Sequence, residues 1–148
     1  KFESLNELIL SLILWITSHT NYPEPQKQIN INYIELELLQ DMACGRPCEI
    51  MAYTPKNEKY KIYLIKTMDP LNDVCHQGIL LHEIIHVLQE ENSFAADYDE
   101  QTKKHLREMD ALVRQNIFLS QYGKKILYSN GFAAKFKTDP NNKNQLYC

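Results

Sequence analysis

The sequence predicts an α+β fold, in which a small antiparallel or mixed sheet packs against two long crossing helices and an N-terminal core helix. Apolar residues recur at helical spacing in three long segments, near residues 5–16, 74–90 and 99–121. Between the first two of these segments they alternate with polar residues, as in strands. A chain of 148 residues with 44% hydrophobic content can bury one sizeable core, so residues 1–148 are expected to form a single domain.

The N-terminal helix is predicted from residues 8–16, the most apolar run in the chain. Apolar residues keep helical spacing here, and Ser4, three residues before Glu7, is typical of a capping box at a helix N-terminus. The run is too short to cross a bilayer, and the acidic residues Glu3 and Glu7 stand where a signal peptide carries positive charge. A buried core helix is therefore expected, without a membrane span.

Three short strands and one short helix are predicted between the N-terminal helix and the next long helix. Ile29 and Ile31 alternate with polar residues as in a strand, and residues 33–42 return to helical spacing. Residues 49–54 and 60–66 have the pattern of an antiparallel hairpin. A free edge of this sheet would allow an extended peptide to add to it through main-chain hydrogen bonds.

The most informative segment is the H-E-x-x-H motif at residues 82–86. An apolar stripe predicts that it lies on a helix, formed by Val74, Gly78, Leu81, Ile85 and Leu88. His82 and His86 lie beside this stripe one turn apart, so that both imidazoles can converge on one metal ion. Glu83 can then reach a water next to that ion as a general base. The alternative is an ordinary core helix with two surface histidines.

A second long helix is predicted over residues 99–121, which contain no Gly or Pro. Its apolar residues at helical spacing are Leu106, Met109, Val113 and Ile117. The helix offers two candidates for a third protein ligand, Glu108 and Asp110. They project about 200° apart around the helix axis, so only one of them can face the metal. Spacing alone leaves the choice open.

The H-E-x-x-H motif and the downstream residues 108–111, Glu-Met-Asp-Ala, resemble the two motif helices of the gluzincin metallopeptidases. The short chain is also similar to the minimal single-domain members of that group, the minigluzincins. The resemblance implies a zinc metallopeptidase that hydrolyses peptide amide bonds, with Zn²⁺ bound by His82, His86 and Glu108. It covers only the two helices. Many gluzincins have Asp or Asn four residues after the glutamate, to brace the first histidine, whereas this chain has Leu112.

The chemistry expected of such a site follows from the ion and its neighbours. Zinc lowers the pKa of bound water to about 7, and Glu83 takes the proton and delivers it to the leaving amine. His105 is the candidate catalytic residue for stabilising the oxyanion, with Tyr98 and Arg107 as alternatives. Each of these three side chains is, by itself, more typical of a solvated surface. Two other functions stay open: a non-enzymatic protein-binding module of the same ancestry, and a zinc amidase acting on a cell-wall or small-molecule amide.

The charge distribution bears on the partners of the protein. The formal net charge is only −3, and acids and bases are mixed along the chain. Nucleic-acid binding and polybasic membrane binding both rest on a dense positive patch, so neither is expected. The expected partner is a peptide or protein substrate.

Four cysteines, Cys44, Cys48, Cys75 and Cys148, are compatible with two disulfides in any of three connectivities. Cys148 ends a polar segment that would fray unless it were tied down, which favours an oxidising location, periplasmic or secreted. A four-cysteine structural zinc is a weaker alternative, because paired C-x-x-C spacing is absent. Residues 124–128 are expected to add a short helix before the polar segment.

Overall fold

The computed structural model describes residues 2–125 and 146–148. Within these residues the chain forms four helices and a small three-stranded mixed sheet, in the α+β class that the sequence predicts. In chain order the elements are α1 (Leu5–His19), β1 (Asn30–Ile34), α2 (Leu36–Ala43), β2 (Ala52–Tyr53), β3 (Lys61–Ile65), α3 (Val74–Glu91), α4 (Glu100–Ser120), β4 (Lys124–Lys125) and β5 (Leu146–Tyr147).

Helix α1 begins where the capping box predicts. The Ser4 hydroxyl accepts a hydrogen bond from the Glu7 amide at 3.2 Å, which satisfies one of the free amide groups at the helix N-terminus. One face of α1 is buried in the core, through Leu8, Ile9, Leu12, Ile13 and Ile16. In the part of the chain that the structure describes, none of the helices has the length and apolar character needed to cross a membrane.

The sheet has the strand order β1-β3-β2, with β1 parallel and β2 antiparallel to the central strand β3. The hairpin predicted from residues 49–54 and 60–66 is present, but its first strand is only the two residues of β2. All five residues of β1 pair with β3, so β1 extends through Tyr33 and Ile34, and α2 begins at Leu36 instead of residue 33. Pairing with β3 has therefore overridden the helical spacing of these two residues.

Helix α3 carries the H-E-x-x-H motif and is buried on nearly all sides. Asp73 caps its N-terminus by accepting hydrogen bonds from the Cys75 and His76 amides. The helix packs against α1, β2, β3 and α4, and most of the predicted apolar stripe is fully buried. A Cβ atom at Gly78 would lie 3.0 Å from Leu119 Cδ2, so glycine permits the close approach of α3 and α4.

Helix α4 is present as predicted, and two of the apolar residues that predict it lie on an exposed face. Val113 and Ile117 are 44% and 40% exposed. The buried residues of α4 are instead Ala111, Leu112, Gln115, Phe118 and Leu119. Apolar residues occur on two faces of this helix, and packing against α3 decides which of them is buried.

Two disulfides join the four cysteines, Cys44 with Cys48 and Cys75 with Cys148. The second one ties Cys148 to the first turn of α3. The prediction of a short helix at 124–128 is wrong at its start, because Lys124–Lys125 form strand β4, which pairs in parallel with β5. Residues 126–128 and the polar segment up to residue 145 lie outside the described residues.

Candidate metal centre

Packing of α3 against α4 brings His82, His86 and Glu108 together. His82 Nε2 lies 2.7 Å from Glu108 Oε1, and His86 Nε2 lies 3.7 Å from Glu108 Oε2. The two Nε2 atoms are 3.0 Å apart. One ligand atom from each residue lies within 4.8 Å of the other two, so this group could hold a metal ion.

The separations and the donor types fit a divalent transition metal. In a tetrahedral site with zinc–nitrogen bonds of about 2.0–2.1 Å, neighbouring ligand atoms are about 3.3 Å apart. The observed separations, from 2.7 to 3.7 Å, lie on both sides of this value. Two imidazole nitrogens and a carboxylate oxygen are ligands that zinc and several other transition metals accept. In a tetrahedral site, three protein ligands would leave a fourth position for water or substrate.

The charges of the triad compensate one another. Burial alone lowers the pKa of His86, but the hydrogen bond to Glu108 and the charges of Glu83 and Glu108 outweigh it and raise this pKa to about 9. Burial raises the pKa of Glu108, while hydrogen bonds to His82 and His86 more than reverse this and hold it well below its usual range. A protonated His86 thus balances the charge of the Glu108 carboxylate. A bound divalent cation would replace this proton and balance the carboxylate instead.

Each histidine is braced by a glutamine on the side away from Glu108. His82 Nδ1 lies 2.9 Å from Gln115 Oε1, and His86 Nδ1 lies 2.8 Å from Gln89 Oε1. A proton on Nδ1 that is donated to the glutamine leaves Nε2 free to bind a metal. Gln115 therefore supplies the polar brace of His82 that Leu112, a buried apolar residue, does not provide.

Gln115 lies seven residues after Glu108, two turns along α4 and so on the same side of the helix. That spacing is the signal in the sequence that points to Gln115.

Asp110, the other candidate ligand on α4, faces away from the triad. Its Oδ2 accepts hydrogen bonds from the Tyr22 hydroxyl at 2.6 Å and from Gln89 Nε2 at 3.0 Å. Its Oδ1 lies 3.4 Å from Arg114 Nε. Of the two acids, Glu108 is the one that lies against the histidines. The hydrogen bond between Tyr22 and Asp110 could not be predicted from the sequence, because it joins residues 88 positions apart.

Glu83 lies beside the triad and is oriented by a residue that follows the sheet strand β2. Its Oε1 accepts a hydrogen bond from the Thr54 hydroxyl at 2.8 Å, and its Oε2 lies 4.0 Å from His82 Nε2. Thr54 directly follows β2. One carboxylate oxygen is thus held by Thr54, and the other is directed towards His82.

No protein family model, curated protein or solved structure matches this chain.

The three candidates for oxyanion stabilisation differ in their surroundings. Arg107 donates through Nη1 to Glu90 at 2.6 Å and through Nε to the Phe94 carbonyl at 2.9 Å, so it holds the connection between α3 and α4. Tyr98 lies in that connection and is 57% exposed. His105 is partly buried on α4, one turn before Glu108. Its catalytic role stays a prediction.

A small, mainly apolar cavity of about 130 Å³ lies one turn before His82 on α3. It is lined by Met51, Cys75, His76, Ile79, Gln115 and Cys148. Gln115 borders this cavity and also contacts His82, so the cavity adjoins the candidate metal centre. The disulfide between α3 and Cys148 forms part of its wall.

Proposed function

We propose that this protein is a zinc-dependent metallopeptidase that hydrolyses peptide amide bonds. The observation that carries the proposal is the meeting of α3 and α4 at one point, where Glu108 lies against both histidines of the H-E-x-x-H motif. Glu83 is on the same side of α3 as this group, with one carboxylate oxygen 4.0 Å from His82 Nε2. Three ligands, a general base and an open fourth position are the parts that a zinc hydrolase requires.

In the proposed reaction His82 and His86 would hold the zinc ion through their Nε2 atoms, and Glu108 would hold it through its carboxylate. When bound at such a site, zinc acts as a Lewis acid that lowers the pKa of water to about 7. Glu83 takes one proton from the attacking water, whose oxygen forms a bond to the substrate carbonyl carbon. Glu83 then passes this proton to the amide nitrogen as the carbon–nitrogen bond breaks, which yields a carboxylic acid and an amine.

Thr54 has a supporting role in this reaction. Its hydroxyl donates to Glu83 Oε1, so that Oε2 is the oxygen available for proton transfer. His105 is proposed as the residue that donates a hydrogen bond to the oxyanion. Arg107 is a weaker candidate, because its guanidinium contacts Glu90 and the Phe94 carbonyl.

An extended peptide is the substrate that the surroundings favour. Strand β2 is an edge strand of its sheet, and Thr54, the residue after it, contacts Glu83. A peptide added to this edge by main-chain hydrogen bonds would pass close to the general base. The cavity beside His82 could accept an apolar side chain of that peptide.

The two disulfides support a location in an oxidising compartment, either periplasmic or secreted.

The alternative of a non-enzymatic binding module depended on the absence of a carboxylate at residue 112, which is Leu112. Gln115 contacts His82 in its place, which favours the enzyme. A zinc amidase would use the same residues, and only the substrate distinguishes it.

The test combines a metal measurement with a substrate assay. Protein purified without chelators or immobilised metal is analysed for zinc, and its hydrolysis of an unstructured protein is compared between wild type, Glu83→Gln and Glu37→Gln. Glu37 is exposed on α2, which makes the last variant a matched control. We expect about one zinc per chain in all three proteins, and hydrolysis lost only in Glu83→Gln. Absence of zinc, or hydrolysis that persists in Glu83→Gln, would contradict the proposal.

A further inference from the structure

The two glutamines that brace the histidines have different surroundings. Gln89 is completely buried, and both the oxygen and the nitrogen of its side-chain amide make hydrogen bonds. Its Oε1 faces His86 Nδ1 at 2.8 Å, while its Nε2 donates to the Arg107 carbonyl at 2.8 Å and to Asp110 Oδ2 at 3.0 Å. Both hydrogens of the amide are therefore engaged by acceptors on α4.

These contacts fix the orientation of the Gln89 amide. A flipped amide would place its oxygen against the Arg107 carbonyl and the Asp110 carboxylate, two acceptors that cannot donate to it. With Oε1 held towards His86, the proton of the neutral ring belongs on Nδ1, and the lone pair belongs on Nε2. Asp110 thus controls, through Gln89, which nitrogen of His86 can bind a metal.

Asp110 is in turn held by Tyr22, which lies in the segment after α1 and outside both motif helices. The Tyr22 hydroxyl donates to Asp110 Oδ2 at 2.6 Å. Burial and the neighbouring Asp110 raise the pKa of Tyr22 well above its usual value, so the hydroxyl keeps the proton that it donates. The Tyr22 ring also packs edge-on against Phe94, in the connection between α3 and α4.

We propose that Tyr22 is a positioning residue for the metal ligand His86, and that it acts through Asp110 and Gln89. This inference rests on the proposed function only in requiring that the triad binds zinc. We call Tyr22, Asp110 and Gln89 the Tyr22 relay. The relay makes the metal affinity depend on the docking of the segment after α1, whereas His82 is braced by Gln115 of α4.

The experiment measures Zn²⁺ affinity by competition with a chromophoric chelator. The Tyr22→Phe variant removes one hydroxyl and retains the ring. Its matched control is Tyr63→Phe, because the Tyr63 hydroxyl donates to the Glu58 carboxylate at 2.8 Å, in a hydrogen bond of the same type on β3. We expect affinity to fall about 10-fold in Tyr22→Phe and about 10- to 100-fold in Gln89→Met, and to be unchanged in Tyr63→Phe.

Two further measurements separate positioning from general stability. The visible absorption bands of bound Co²⁺ should shift in Tyr22→Phe but not in Tyr63→Phe, because only the first changes how His86 is held. In a Gln89→Met background, Tyr22→Phe should cause no further loss of affinity, since its path to His86 is already broken.

The outcomes also distinguish this inference from the proposed function. Wild-type affinity and an unchanged Co²⁺ spectrum in Tyr22→Phe would overturn the inference while leaving the zinc site in place. Equal losses of affinity in Tyr22→Phe and Tyr63→Phe, or additive losses in the double variant, would also overturn it. A wild-type protein that binds neither Zn²⁺ nor Co²⁺ would overturn the inference and the proposed function together.

Discussion

Helices α3 and α4 both supply residues to the candidate metal centre, but they are held in place differently. The buried positions of α3 are mainly apolar and pack against α1, both strands of the hairpin, and α4. Helix α4 has an exposed face, and polar contacts tie it to α3, among them Gln115 with His82 and Arg107 with Glu90. Substitutions in the two helices should therefore have different consequences: loss of stability at the buried apolar residues of α3, and loss of metal affinity at the polar residues of α4 that contact the site.

The largest effect on metal binding is expected from Glu108→Gln. Zinc bound by four protein ligands contributes about 10–16 kcal/mol, or about 2.5–4 kcal/mol per ligand, so removing this carboxylate should weaken binding by about 60-fold to 900-fold. Competition with a chelator measures the change. Glu100→Gln, on the exposed first turn of the same helix, should bind zinc like the wild type. Wild-type affinity in Glu108→Gln would show that Glu108 is not a metal ligand.

A comparable effect, but on stability, is expected from Ile85→Ala in α3. Ile85 is completely buried, so the lost contacts and the resulting cavity should lower the free energy of unfolding by about 2–5 kcal/mol. Ile117→Ala, the same change on the exposed face of α4, should cost less than about 1 kcal/mol. Urea denaturation of chelator-treated protein measures both variants. Equal losses of stability would contradict the difference between the two helices.

A smaller effect is expected from Gln115→Leu, which removes the brace of His82. A residue that orients a metal-bound histidine typically contributes 10- to 100-fold, so we expect zinc affinity to fall by about 10-fold or more. Gln121→Leu, on an exposed residue just after α4, is a suitable control. If both substitutions leave the affinity unchanged, the orientation of His82 does not depend on α4.

The smallest expected effect is a change in proton release with pH. In the metal-free protein the pKa of His86 is raised from 6.5 to about 9, so at pH 7.5 this ring is protonated, and zinc binding should release about one proton from it. As the pH rises through about 9, the release from His86 should fall, and it should be small at pH 10. Calorimetry in buffers of different ionisation enthalpy measures the number of protons. Release that does not change between pH 7.5 and 10 would contradict the raised pKa.

The same raised pKa predicts a pH dependence of stability. Because His86 holds its proton more tightly in the folded chain than in the unfolded chain, its contribution to stability is complete below pH 6.5 and is lost as the pH rises through about 9. Zinc-loaded protein should not show this loss from His86, since the bound ion replaces the proton. Unfolding of both forms across this range measures the difference.

What the sequence predicts well is local. The N-terminal helix, the motif helix and the second long helix all follow from periodicity within each segment, with a capping box in addition for the first. The histidine pair is likewise local, because a spacing of four residues on one helix places both rings on the same side. The prediction that only one of Glu108 and Asp110 can face the histidines is confirmed, because Glu108 contacts His82 and Asp110 contacts Tyr22.

What the sequence does not predict depends on contacts between elements. Packing against α3 decides which face of α4 is buried. Val113 and Ile117 are apolar, yet they lie on an exposed face. Thr54 and Tyr22 join the site only because β2 and the segment after α1 are folded against the motif helices. Their hydrogen bonds span 29 and 88 residues, and no local pattern encodes such contacts.

The central claim is that α3 and α4 together form one zinc site, and its most direct test is a crystal structure of zinc-loaded protein with diffraction data collected at the zinc absorption edge. The account predicts a single strong anomalous peak, with His82 Nε2, His86 Nε2 and a Glu108 carboxylate oxygen all within about 2.0–2.2 Å of it. A zinc ion bound by Asp110 instead of Glu108, or held by the histidines without any residue of α4, would contradict it.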